Sequence, residues 1–147
     1  MLLFVFLLFS WGLFSFEAGV TIGTISNPSR MNYGLSGGMG FLLPTLKFEM
    51  EIYRKADTEE LEMKNTAAVG IKFRPKLGKF APYAIVGMGA EFSSLSFDSE
   101  KSESFTFIGG GVHYYLAGMI SLRADVRFLN FPGFNRTRLT GGLFVHF

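Results

Sequence analysis

The segment Leu46-Lys47-Phe48-Glu49-Met50-Glu51-Ile52 is apolar at every second residue and charged at every residue between. A β-strand turns successive side chains to opposite faces, so this segment has one greasy face and one charged face, whereas a helix would mix the two. The same period of two recurs along the 147-residue chain, and from Glu17 onward no helical apolar stripe is sustained. Eight runs follow. The first sets Ala18, Val20 and Ile22 against Glu17, Gly19, Thr21 and Gly23, and the second sets Leu35, Met39, Phe41 and Leu43 against Ser36, Gly38 and Gly40. After the Leu46–Ile52 run come Ala67, Val69, Ile71 and Phe73 against Ala68, Gly70, Lys72 and Arg74. A fifth run, Pro82 to Phe92, has Ala84, Val86, Met88, Ala90 and Phe92 facing one way and Gly87, Gly89 and Glu91 the other, with Tyr83 and Ile85 intruding. The sixth opposes Thr106, Ile108, Val112 and Tyr114 to Gly109, Gly111 and His113. The seventh opposes Ile120, Leu122, Ala124, Val126 and Phe128 to Ser121, Arg123, Asp125 and Arg127, and the eighth Leu139, Leu143, Val145 and Phe147 to Thr140, Gly142 and His146. Runs of about nine to eleven residues have the length a tilted strand needs to cross a hydrocarbon core.

Connections alternate in length. Short ones hold Pro44, Pro75 to Lys79, and Leu116 to Met119; long polar ones are read over Ser26 to Asn32, Lys55 to Met63, Ser93 to Glu103, and Leu129 to Arg136. Three short turns at one end and four long loops at the other are the arrangement of a transmembrane β-barrel with its loops outside.

Alternation alone fits a soluble barrel, apolar inside, as well as a membrane barrel, apolar outside. Gly decides part of the question, because it crowds the polar phase at Gly19, Gly23, Gly38, Gly40, Gly70, Gly87, Gly89, Gly109, Gly111 and Gly142. A narrow eight-stranded interior is short of volume, so that face belongs inside. The charges of the polar phase nearly cancel, with Lys47, Lys72, Arg74, Arg123, Arg127 and Arg138 against Glu17, Glu49, Glu51, Glu91 and Asp125. A buried lumen requires such pairing. Aromatics at the run ends are read as interfacial girdles: Phe73, Phe80, Tyr83, Tyr114 and Phe147 at the turn end, and Tyr53, Phe92 and Phe128 at the loop end.

Residues 1–15 form an apolar run that is short for a spanning helix and fits a secretory signal peptide, with cleavage after Gly12 or Ser15. Residues 16–147 then form the barrel domain. The run carries no Lys or Arg, which suggests a start codon further upstream. The chain has no Cys, which removes disulfides, thiolate metal sites, cysteine catalysis and a lipoprotein anchor. A net charge of +2 is too small an excess for a nucleic-acid footprint.

Several segments resemble the OmpA/OmpX-type outer-membrane barrels: Pro82-Tyr83 followed by Gly87-Met88-Gly89, the stretch Gly109-Gly110-Gly111-Val112-His113-Tyr114, the strand Leu122 to Phe128, and the closing Leu143-Phe144-Val145-His146-Phe147. The resemblance covers about residues 16 to 147. It implies an all-β, eight-stranded, antiparallel up-and-down transmembrane β-barrel in a Gram-negative-type outer membrane. Leu143, Val145 and the terminal Phe147 look like the signal read by the barrel assembly machinery. The soluble peptidoglycan-binding domain that follows the barrel in full-length OmpA is not expected here.

Catalytic patterns are thin. His113 lies in the polar phase with Ser121 and Arg123 across the hairpin, a nucleophile-and-base pairing for which no carboxylate is read at the same level. It is therefore taken as a lumen-filling histidine, with His146 at the turn-end mouth. The resemblance also admits lipid A deacylases, whose Ser and His face lipid, but neither His here falls in the apolar phase. The Gly clusters lack the Lys and Ser or Thr of a phosphate-binding loop. Asp57, Glu59, Glu60 and Glu62, with Lys55 and Lys64, read as a charged surface tip. The expectation is thus a monomeric, non-enzymatic outer-membrane protein without cofactor or metal. Its partners would be outer-membrane lipids, the assembly machinery and an extracellular ligand of the loops; the runner-up is a narrow pore, and a lipid-modifying enzyme is third. Lys47, Glu49, Glu51, Lys72, Arg74, Glu91, Arg123, Asp125 and Arg127 are expected to fill the lumen as a charge network.

Overall fold

A computed structural model describes residues 14–27, 29–41, 45–55, 64–92 and 102–147. Residues 1–13 of the expected signal segment, Leu43, Pro44 and the acidic tip Asp57, Glu59, Glu60 and Glu62 lie outside the described residues. Eight strands follow one another: β1 (Phe14–Ile25), β2 (Arg30–Phe41), β3 (Leu46–Lys55), β4 (Lys64–Phe73), β5 (Phe80–Phe92), β6 (Ser102–Ala117), β7 (Ile120–Phe131) and β8 (Phe134–His146). Each pairs antiparallel with the next, and β1 pairs with β8, so the sheet closes into a barrel and leaves no edge. Closure continues past β8, where Phe147 N donates to Phe16 O at 2.9 Å and Phe16 N donates to Phe147 O at 3.1 Å.

Two of the four expected long loops are short. Residues 129–136, read as a loop, continue β7 to Phe131, turn at Pro132-Gly133 and enter β8 at Phe134. Pro132 presets the first turn dihedral and Gly133, at φ 92°, supplies the positive one that a side chain would resist. Likewise β1 reaches Ile25 and β2 starts at Arg30, with Asn27 in the left-handed region at φ 58°. Only the connections 56–63 and 93–101 are long at this end.

The apolar phase faces outward all round the barrel: Val20, Leu35, Phe48, Met50, Ile71, Val86, Ile108, Phe128 and Leu139 are exposed, Met50 by 61%. The charged phase lines the interior, with Glu49, Lys72, Arg123 and Arg127 among its buried members. An exposed apolar belt around a buried charged lumen is the inverse of a soluble barrel and requires hydrocarbon outside. Phe73, Phe80, Tyr114 and Phe147 at the turn end and Phe128 at the loop end stand outward, as girdle residues do.

Tyr53 and Tyr83 do not. They belong to the inward phase of β3 and β5 and are buried, Tyr53 to 2% exposure. Ile85, the other intruder of the fifth run, is inward too, and with Ile25, Phe105, Phe107, Leu129 and Phe131 these residues form an apolar cluster inside the lumen. The interior is therefore part ionic and part aromatic, where the sequence suggested an ionic one.

Candidate functional site

The lumen is built by alternate residues of all eight strands. Glu17 of β1 gathers the cations of the turn end: Arg74 Nη1 at 2.5 Å, Lys47 Nζ at 3.4 Å, and Lys72. Lys72 also donates to Glu49 at 2.6 Å, and Glu49 receives Arg123 at 3.0 Å and Arg127 at 2.5 Å from the far side of the barrel. Glu51, one level higher, accepts two bonds from Arg138, at 2.5 and 2.9 Å, and lies 3.0 Å from Arg127. Asp125 holds Arg127 at 3.0 Å and accepts from Tyr83 Oη at 2.8 Å and from Thr140. At the loop end Glu91 pairs with Lys55 and, at 3.4 Å, with Arg136. All nine residues expected in the network lie buried in the lumen, and each has an ion-pair partner.

One of these pairs joins neighbouring strands, Lys72 of β4 with Glu49 of β3. The register sets Lys47 opposite Lys72, and the carboxylates of β3 also reach across the barrel to cations of β7 and β8. Lys55, read as part of a surface tip, is buried two positions beyond Tyr53 in the same phase; Glu17 and Arg138 complete the set. Strand phase carried beyond Ile52 would have found both Tyr53 and Lys55.

Among the described buried residues, seven cations (Lys47, Lys55, Lys72, Arg74, Arg123, Arg127, Arg138) meet five carboxylates (Glu17, Glu49, Glu51, Glu91, Asp125). The lumen aromatics offset this excess. Arg138 lies 4.0 Å from the Tyr53 ring centroid, Arg123 4.3 Å from Phe144, Arg127 5.2 Å from Phe107 and Lys72 5.2 Å from Tyr83. A desolvated cation over an aromatic face gains about 2 kcal/mol, so these rings act as electrostatic partners as well as filler. Lumen glycines make room for them. A Cβ at Gly70 would meet Phe107 Cζ at 3.0 Å, and one at Gly38 would meet Glu17 Cγ at 2.8 Å. At these two positions the space beside the glycine is occupied.

At the turn-end mouth Ser121 Oγ lies between two imidazoles, 2.9 Å from His113 Nδ1 and 2.7 Å from His146 Nε2. The expected absence of a carboxylate at this level is corrected, because Glu17 Oε2 is 3.4 Å from His146 Nδ1. Ser, His and Glu thus share the order of a nucleophilic triad. A hydroxyl has one proton, so Ser121 donates to one imidazole and accepts from the other, and Glu17 favours His146 carrying its proton on Nδ1. Access fails, however: Ser121 is 0% exposed, Phe144 lies edge-on to His113 and Tyr115 covers His146. Ser121 itself sits within the sheet, opposite Phe144 of β8 and Tyr115 of β6. Among the described residues no cluster of three or more His, Asp or Glu is placed to hold a metal ion.

The sequence matches no protein-family model and no curated protein. Solved structures do match in shape. The N-terminal β-barrel domain of Pseudomonas aeruginosa OprF aligns over 90% of this chain and 97% of its own, with a TM-score of 0.75 at 16% identity. Neisserial surface protein A aligns over 91% and 97%, with a TM-score of 0.68 at 16% identity. The outer-membrane enzyme PagL aligns over 88% and 98%, with a TM-score of 0.56 at 10% identity, so this shape hosts enzymes as well as other proteins. The closed barrel agrees in shape with these outer-membrane neighbours, and in fold the chain is an eight-stranded antiparallel transmembrane β-barrel.

Proposed function

We propose that the chain is a non-enzymatic outer-membrane protein with a sealed barrel, serving a structural or surface-interaction role through the segments that join its strands at the loop end. The observation that carries this reading is the filled lumen. Glu49 and Glu51 are bridged to cations of β7 and β8 across the interior, and Phe105, Phe107 and Phe131 occupy its loop half. A solute would have to break several buried ion pairs at once, each costly to leave half-made. The connections 56–63 and 93–101 are the longest at the loop end and are where recognition of an external ligand would reside. Leu143, Val145 and Phe147, all outward on the closing strand, would be the elements presented to the assembly machinery.

Planar-bilayer recording of the refolded protein, with solute-swelling of vesicles, tests the reading. The expected result is no stable conductance step and no uptake of a sugar-sized solute. Reproducible steps with sugar uptake would replace the sealed scaffold by a pore.

A further inference from the structure

Among the described strand residues, Arg54 is the only charged side chain in the outward phase of the barrel. It lies four residues beyond Met50, or about 10 Å nearer the loop end on a tilted strand. A cation on a lipid-facing wall is expensive toward the bilayer centre and becomes cheap only near the headgroups. Its surroundings are arranged for more than tolerance. The sheet register places Tyr33 of β2 directly across from Arg54 on one side and Asn65 of β4 on the other. Arg54 Nε donates to Asn65 Oδ1 at 3.0 Å, which fixes the guanidinium plane. Among the described residues its two terminal nitrogens take no protein acceptor. Toward the membrane centre from this polar row, the exposed side chains of Val20, Leu35 and Ile52 line a groove of about 420 Å³ that also includes Tyr33, Arg54 and Asn65.

We propose that this groove is a binding site for one phosphate-bearing membrane lipid of the loop-side leaflet. The phosphate is held by the terminal nitrogens of Arg54, and an acyl chain lies along Val20, Leu35 and Ile52. A planar guanidinium anchored through Nε presents a fork that matches two phosphate oxygens, which a lysine would not. The groove below supplies apolar area to a chain tethered to that same headgroup. Other outward polar groups near this end, among them Thr24, Ser104, Asn130 and Thr137, are uncharged and offer no comparable fork.

Native mass spectrometry of the full chain released from detergent tests this. The probes are bis-phosphorylated lipid A, the same lipid with its phosphates removed, and inorganic phosphate. The parent should retain one lipid A molecule, and removing its phosphates should lower retention by about tenfold. Arg54→Gln should bring phosphorylated lipid down to that same level, with Arg54→Lys between the two. Asn65→Ala, which frees the guanidinium, should weaken retention severalfold and provides a second test should Arg54→Gln fold poorly. Asn130→Ala, outward on β7, should change nothing. Equal retention by the parent, Arg54→Gln and Asn65→Ala would overturn the site, as would indifference to the lipid's phosphates. Displacement of the lipid by equimolar inorganic phosphate would overturn the role of the groove.

Discussion

Glu49, like Glu17 and Glu51, gathers three buried cations, here Lys72, Arg123 and Arg127. Glu49→Ala leaves three buried cations short of a carboxylate. Removing one partner of a buried pair costs about 3 to 5 kcal/mol, and a loss of that size is expected in urea titrations of the protein folded into vesicles. Its neighbour Met50 points the other way, 61% exposed in the middle of β3. Met50→Arg should cost about 2 to 4 kcal/mol in the same titration through the lipid face. Equal stability of Met50→Arg and the parent would reverse the assignment of faces. The alternation that separates these two residues was legible in the sequence; the roles of Tyr53 and Tyr83 were not. A tyrosine near a strand end suits a membrane interface, and the same ring suits a buried cation, so residue type alone does not choose. Arg138 over Tyr53 and Lys72 over Tyr83 make the choice, the first from the far end of the chain and the second from the neighbouring strand.

Strands were legible as elements, but the ends around the last hairpin and at the first strand were not. The stretch Asn130-Phe131-Pro132-Gly133-Phe134-Asn135 has a loop's composition, yet its phase runs through Leu129 and Phe131 to the turn and resumes with Arg136 and Arg138 inside. The other end that shifted is the first. β1 begins at Phe14, Ser15 accepts a hydrogen bond from Lys47 Nζ at 3.0 Å, and Phe16 bonds the closing Phe147. Of the two cleavage points offered by the apolar leader, the one after Gly12 preserves this strand, and the one after Ser15 removes two of its residues. Mass spectrometry of the membrane form should therefore find a mature chain that starts at Leu13; a start at Phe16 would show that the seam closes without Phe14 and Ser15. At the opposite side of the same seam, Phe147 is exposed and adds a pair of backbone bonds. Deleting it should slow insertion in cells while altering the urea midpoint of the refolded barrel little. Unimpaired insertion would remove the assembly role from Phe147.

For the whole molecule, strand number, order and the direction of the apolar face could be read from a single chain because each is a property of a strand and its neighbour. Pairing across the lumen could not, since closure brings together β3 with β7 and β8, and β1 with β4, whose residues lie 55 to 87 positions apart in these ion pairs. These crossings act as error correction on the register. Sliding β3 by one residue would turn Glu49 and Glu51 into hydrocarbon, so the bilayer rejects every odd slip. An even slip keeps the faces correct and passes that check. Sliding by two, however, sets Lys47 beside Arg123 and Arg127 in one direction, or Glu49 beside Glu17 in the other. The membrane thus reads one parity of mistake and the lumen reads the other, and only the native alignment satisfies both readers.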